Sequence, residues 1–417
     1  MSNLKYWLWL TRRRGLPGPD QLRVLEHFGS PEGAYFADEG AYALVESLSE
    51  GARRALNDKS LTEADKILGD CDRLGIHITT MQDAIYPERL RAIHQPPLVL
   101  YWKGREVAVD EEAAIAIVGT REATPYGVRA AGQLALDLTR AGALIVSGMA
   151  QGIDAAAVRA ALKAGGPVIS VLGGGIDVVY PRYHRDLYAD VAAAGTLISE
   201  YPPGTETKGT HFPVRNRIIS GLSVGVVVVE SPRSGGSLLT AGHALDQDRE
   251  VFAVPGPIDA EDSEGTNRLI QEGAAKLILN AGDVICEFVD RFPNKFGKYR
   301  PLTEEAREQR LEDHTPPRPE KPAKAPAVDR KPEEKAVDNP VDVEYIDWKD
   351  YKEKLTDDQR DVLLALEDGP MVADDLVEKL QIPARRVLAA LTILQVQGLA
   401  AEEQGKRFRA AVRLKME

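Results

Sequence analysis

Ala114-Ile115-Ala116-Ile117-Val118-Gly119-Thr120-Arg121-Glu122-Ala123-Thr124-Pro125-Tyr126-Gly127 opens on five small or β-branched apolar residues and breaks at a glycine into a polar turn. Nothing in the apolar run alternates with polar residues, so it reads as a strand covered on both faces, and a helix is predicted from Tyr126 to Ala141. The same unit recurs along the chain. Ala143–Val146 precedes a helix over Ile153–Ala164, and Val168–Leu172 precedes one around Tyr183–Ala193. Thr196–Ser199 comes before the stretch from His211 to Ser223, and Val224–Val229 is followed by a helix over Ser237–Asp248. Val251–Val254, Thr266–Ala274 and Lys276–Leu279 complete the series. Continuous Val/Ile runs joined by helices of this length predict an α/β fold, a doubly wound, mostly parallel sheet with helices on both faces.

In such a sheet ligands bind beyond the carboxyl ends of the strands. Those ends carry small or polar groups: Gly119-Thr120-Arg121, Ser147 to Gly152, Gly173-Gly174-Gly175, Ser199 to Pro202, Glu230 to Ser237, and Pro255-Gly256. Glycine lets backbone approach a ligand and helix N-termini direct free N–H groups at it, which suits phosphate. A dinucleotide fingerprint would need GxGxxG after the first strand, where this chain has GTREATPYG, and no Walker A sequence occurs. No Ser/His/Asp or paired-carboxylate arrangement stands out among seven scattered histidines. No catalytic residue, metal site or cofactor is predicted.

Composition narrows the class. The chain has 417 residues, 43% hydrophobic and 28% charged, enough for several domains and a sizeable core. Its two cysteines, Cys71 and Cys286, lie far apart without a CxxC spacing, which fits a reducing compartment. The apolar run near the start, in MSNLKYWLWLTRRRG, is too short for a signal or membrane segment, so a cytoplasmic protein with no membrane contact is expected. The net charge of −12 offers no globally basic face for nucleic acid, and Ile115 to Pro255 holds twelve basic and twelve acidic side chains. Any anion site there must be a local cluster assisted by backbone N–H groups.

His211-Phe212-Pro213-Val214-Arg215-Asn216-Arg217-Ile218-Ile219-Ser220-Gly221-Leu222-Ser223 is the densest such cluster. A short helix would turn Ile218, Ile219 and Leu222 inward and leave polar groups at its mouth. An Arg-Asn-Arg there can hold a ligand or simply satisfy neighbouring carbonyls, and a Phe before Pro can be a stacking platform or core. Cations beside an aromatic face are what a single nucleic-acid strand requires, because every base has a π-face.

GTR with a following YG (Gly119 to Gly127), SGMAQGID (Ser147 to Asp154), a Gly-rich turn before Tyr180-Pro181, SEYPPG (Ser199 to Gly204), FPVRNRIISGLS (Phe212 to Ser223), VVVVES with SGGSLLTA (Val226 to Ala241) and GTNRLIQEGA (Gly265 to Ala274) together resemble the DNA-processing protein A (DprA/Smf) family. The resemblance implies an extended Rossmann-like domain in a protein that binds single-stranded DNA, protects incoming strands in natural transformation and helps load RecA recombinase on them, without being an enzyme. A homodimer is expected. The groove implied for this chain uses Gly119, Thr120, Arg121, Lys208, Phe212, Arg215, Asn216, Arg217, Ser234, Gly235 and Ser237. The sequence departs from the family pattern twice: Val158 stands where a histidine is common after GID, and Lys208 lies four residues before Phe212 rather than three.

Residues 1–75, with turns at Gly15-Leu16-Pro17-Gly18 and Phe28-Gly29-Ser30-Pro31, read as a small helical domain of the SAM or helix-hairpin-helix kind. Gly75–Ile78 and Leu98–Trp102 read as edge strands leading into the domain over 76–290. Seven prolines between His314 and Pro340 mark a Pro- and charge-rich linker over 291–345. Over 346–417, helices from Asp357 to about Glu367, over Met371–Leu380 and from Pro383 to near Gly398 precede strands at Leu399–Glu402 and Phe408–Val412, a winged-helix pattern. Arg385, Arg386, Lys406, Arg407 and Arg409 are its candidate DNA contacts, although eleven basic and twelve acidic residues from Tyr351 onward leave protein contact equally open. Two rival functions stand beside single-strand binding: a nucleotide-processing enzyme on the same core, and a duplex-binding regulator led by the winged helix.

Overall fold

The computed structural model describes residues 3–299, 345–347, 355–403 and 407–415. They fall into two compact units, within Met1–His314 and Thr315–Glu417. The expected linker lies, from residue 300 to 344, outside the described residues.

The first unit is built on one nine-stranded sheet. In chain order its strands are β1 (His77–Thr80), β2 (Val99–Gly104), β3 (Ala114–Val118), β4 (Leu144–Ser147), β5 (Val168–Leu172), β6 (Thr196–Ser199), β7 (Gly225–Val228), β8 (Glu250–Ala253) and β9 (Lys276–Leu277). The spatial order is β1-β2-β6-β5-β4-β3-β7-β8-β9, with β6 through β9 all parallel and β2 and β1 joined antiparallel beyond β6. The chain moves outward from β3 to β6, then returns to build β7 to β9 on the other side of β3. The strand order therefore reverses between β3 and β7, the topological switch point of a doubly wound sheet. The expectation of two edge strands holds for β1 only: β2 pairs on both sides, Trp102 opposite His77 and Ile198. A strand's place in the sheet is set by its partners, which sequence order does not disclose.

Side chains along β3 divide between the two faces as the pleat requires. Ile115 and Ile117 join one apolar cluster, and Ala114, Ala116 and Val118 join the other. The first cluster also takes in Trp7, Leu8, Trp9 and Leu10 of α1 (Leu4–Thr11), so the apolar run at the chain start is core. Five further helices, α2 (Gly18–Phe28), α3 (Pro31–Phe36), α4 (Glu39–Tyr42), α5 (Glu50–Asn57) and α6 (Thr62–Leu74), make up the rest of the helical N-terminal region. After α7 (Glu88–Arg91), the sheet helices are α8 (Pro125–Ala141), α9 (Ile153–Lys163), α10 (Arg185–Ala194), α11 (His211–Leu222), α12 (Gly236–Asp246) and α13 (Glu264–Gln271). Helix α8 starts where the Thr124 side chain accepts from the Gly127 N–H and Pro125 presets the first turn, and it stops at Gly142 in the left-handed region. Val158 of α9 is fully buried, the packing role its apolar side chain implies.

The second unit has helices Asp357–Glu367, Ala373–Leu380 and Ala384–Val396 and a three-stranded sheet of Met371–Val372, Arg407–Ala410 and Ala400–Glu403. Val362, Leu363, Leu376, Val387, Leu391 and Leu394 form its separate core. Met371 and Val372, expected in a helix, instead pair with Phe408 and Arg407. Following Gly369-Pro370, Met371 and the β-branched Val372 take the extended conformation once a distant strand offers a ladder. A parallel pair between Tyr345–Asp347 and Arg413–Lys415 was not legible in the sequence. Among the described residues no helix is long and apolar enough to cross a membrane.

Candidate nucleic-acid interface

A groove of about 490 Å³ opens at the carboxyl ends of β3 and β7, where the strand order reverses. One wall is Gly119, Thr120 and Arg121 after β3; the other is Gly235, Gly236 and Ser237 at the start of α12; the first half of α11 closes it with Phe212, Arg215 and Asn216. The N-terminal end of α12 thus faces the groove, with the partial positive charge of unpaired amides.

Local sequence explains why these walls approach so closely. Gly152 has φ +80, and a Cβ there would fall 2.4 Å from the Thr120 carbonyl oxygen, so the turn before α9 and the loop after β3 touch backbone to backbone. Gly148 lies under the Arg215 guanidinium, and a Cβ there would come within 2.5 Å of it. Arg215 is only 4% exposed. Its Nη1 donates to the carbonyl oxygens of Gly148, at 2.7 Å, and of Val171, while Nε donates to Asn216 Oδ1 at 3.2 Å. The Asp154 carboxylate accepts from the Gly148 N–H at 3.0 Å and the Ala150 N–H at 3.4 Å. Burial pushes the Asp154 carboxyl up, and the Arg215 charge and these amides oppose it. Burial pushes Arg215 down to about 10, with Asp154 opposing, so the guanidinium stays charged at neutral pH. Arg215 pins the ends of β4 and β5 to α11, and Asp154 holds the turn after β4 in place beneath it.

Arg121 behaves differently. It is exposed, and its guanidinium carbon sits 4.3 Å from the centroid of the Phe212 ring. Phe212 is half-buried, its ring also 5.6 Å from that of Tyr180, so it is neither a core side chain nor a free one. A cation over an aromatic face at the mouth of a groove offers both phosphate attraction and a π-surface.

The other expected residues separate. Asn216 lines the groove and donates to the Gly236 carbonyl at 3.3 Å, and Ser237 is buried with its hydroxyl on Ser231 Oγ at 2.9 Å. Lys208 is exposed beside Gly209, which lines the groove while Lys208 does not; Ser234 is likewise exposed and outside the lining. Arg217 points away from the groove: its Nη2 donates to Glu200 Oε1 at 2.7 Å, and it borders a separate cavity of about 270 Å³ against Tyr101 and Val214. Residues two apart on a helix lie about 200° around the axis from one another, so Arg215 and Arg217 cannot share one groove. Sequence reasoning passed over Asp154, whose role shows only once the Gly148–Ala150 turn is folded onto it. In the second unit Arg385, Arg407 and Arg409 are exposed, Arg386 is held by Asp358 through two 2.7 Å bonds, and Lys406 lies outside the described residues.

Comparison with known proteins gives concordant matches. The family described as DNA recombination-mediator protein A matches residues 77–289, and the DprA winged helix domain matches 350–406. The DNA processing protein DprA of Bacillus subtilis (strain 168) is 42% identical over 226 residues, 54% of this chain and 76% of that protein. The X-ray structure of DNA processing protein A from Streptococcus pneumoniae covers 68% of this chain and 97% of its own at 33% identity, with a TM-score of 0.61. A structure of DNA processing protein A from Helicobacter pylori, described for its single-stranded DNA binding mode, covers 52% of this chain and 97% of its own at 30% identity and a TM-score of 0.47.

Proposed function

Since the chain belongs to the DNA recombination-mediator protein A (DprA/Smf) family, we propose that it binds single-stranded DNA in the groove above β3 and β7 and acts by binding alone, without catalysis. The observation that carries this reading is the Arg121–Phe212 pair at 4.3 Å beside the amide end of α12. A single strand needs a cation for its phosphates and a ring for its bases, and both are within reach of one nucleotide here. Groove contacts fall to Gly119, Thr120, Arg121, Phe212, Asn216, Gly235 and Ser237, with Lys208 and Ser234 as flanking polar groups and Arg215 as the pin beneath them. In the cell the protein works in the cytoplasm, as a homodimer that protects incoming strands during transformation and passes them to RecA. Its parts are a helical N-terminal domain (1–75), the single-strand-binding core (76–290), a linker (291–345) and a tethered winged helix (346–417).

Phe212→Ala tests the site. The ring is half-buried at the groove mouth, so its loss should cost about 1–3 kcal/mol of single-strand affinity with little change in melting temperature. If Phe212 serves the core instead, the same change costs roughly 3–5 kcal/mol of stability and leaves the affinity of the folded fraction intact. Thermal unfolding and oligonucleotide titration on one preparation separate the two.

A further inference from the structure

The faces of Phe212 are already partly occupied. Arg121 covers one side at 4.3 Å, and a Cβ added to Gly173 would sit 3.3 Å from the ring. Phe212 therefore has room for little more than one base, and the rings with the most open surface near the groove lie on the loop after β5. Tyr180 is 45% exposed and Tyr183 63% exposed. Phe212 and Tyr180 also border a small cleft with Gly148 and Ala150, so the first ring of this loop adjoins the groove directly.

The loop is anchored rather than loose. Buried His184 places its Nδ1 3.2 Å from the Met149 carbonyl oxygen, and the Tyr183 hydroxyl donates to Gln151 Oε1 on the same turn that lines the groove at Ala150. Tyr183 stands edge-on to the His184 ring at 4.8 Å. An exposed ring held from two sides loses little freedom when a base settles on it, which is what a stacking platform requires. Arg182 and Arg185, exposed on either side of this turn, put cations beside the rings.

We propose that Tyr183, with Tyr180, is a second base-stacking platform, so that a single strand leaving the groove past Phe212 continues over the loop after β5. The proposal rests on the single-strand reading of the groove. It accounts for two exposed aromatic side chains that neither core packing nor the groove itself uses, and it assigns the nucleobases as their ligand.

Oligothymidylates of increasing length, from about 4 to about 20 nucleotides, are titrated against the intact chain carrying no change, Tyr183→Ala or Tyr183→Phe, with melting temperatures measured alongside. The expected result is that Tyr183→Ala binds the shortest strands like the unchanged protein and binds long strands about ten-fold more weakly. Tyr183→Phe, which keeps the ring and loses one of its two anchors, should lose far less long-strand affinity than Tyr183→Ala. Equal binding of all lengths by Tyr183→Ala overturns the platform while leaving the groove reading in place. A Tyr183→Phe defect as large as that of Tyr183→Ala also overturns it, since the hydroxyl and not the ring would then matter. Unchanged protein that binds no single strand overturns the groove reading and the platform together.

Discussion

Arg215 shows how little a residue's type reveals of its task. An arginine in a polar motif of a DNA-processing family reads as a phosphate ligand, yet here three of its bonds go to Gly148, Val171 and Asn216. Replacing it by methionine keeps the volume, strands the Gly148 and Val171 carbonyls and removes the buried cation that offsets the burial of Asp154. Breaking a buried charge arrangement in this way costs about 3–5 kcal/mol. Arg215→Met should therefore lower the melting temperature by roughly 10 °C, and Arg215→Lys should not rescue it, because a single ammonium cannot reproduce the guanidinium fork. A thermal melt decides this: an Arg215→Met protein that melts like the unchanged one but loses DNA affinity would make Arg215 a ligand and not a pin.

At the scale of the element, α11 serves two clients. Phe212, Arg215 and Asn216 look into the groove, Ile218, Ile219 and Leu222 pack beneath, and Val214 and Arg217 border the cavity on the other side. The apolar phase of this helix was legible, since Ile218, Ile219 and Leu222 recur at helical spacing. The division of labour between the two arginines was not, because it depends on which side of α11 the neighbouring strands end. Tyr180 stood out only as part of a motif and Tyr183 only as a helix start, for a similar reason: Tyr180 meets Phe212 only because β5 and β6 are neighbours and the segments after them converge. Strand runs were easier, as continuous valine and isoleucine need no partner to be recognised, whereas Met371–Val372 became a strand only through pairing with Arg407–Phe408. Since Arg217 faces Glu200, Arg217→Ala should leave single-strand affinity within about two-fold and cost about 1 kcal/mol of stability, the scale of a partly exposed ion pair. A ten-fold loss of affinity in that variant would place Arg217 on the DNA after all.

For the molecule as a whole, electrostatics sets the terms. A chain with net charge −12 has no globally basic surface to offer DNA, so the proposed binding rests on a confined track of Arg121, the α12 amides and neighbouring side chains. The switch point between β3 and β7 supplies that place, because the connections diverge there and leave a crevice between strand ends. Such a track reads backbone and bases at once, which favours a strand whose bases are unpaired. The most direct measurement is a titration of the intact chain with single-stranded and duplex oligonucleotides of equal length across a range of salt. The account predicts tighter binding to the single strand, weakening with salt at a log–log slope of about −0.7 for each phosphate contacted. Binding that ignores salt, or that prefers the duplex, would contradict it.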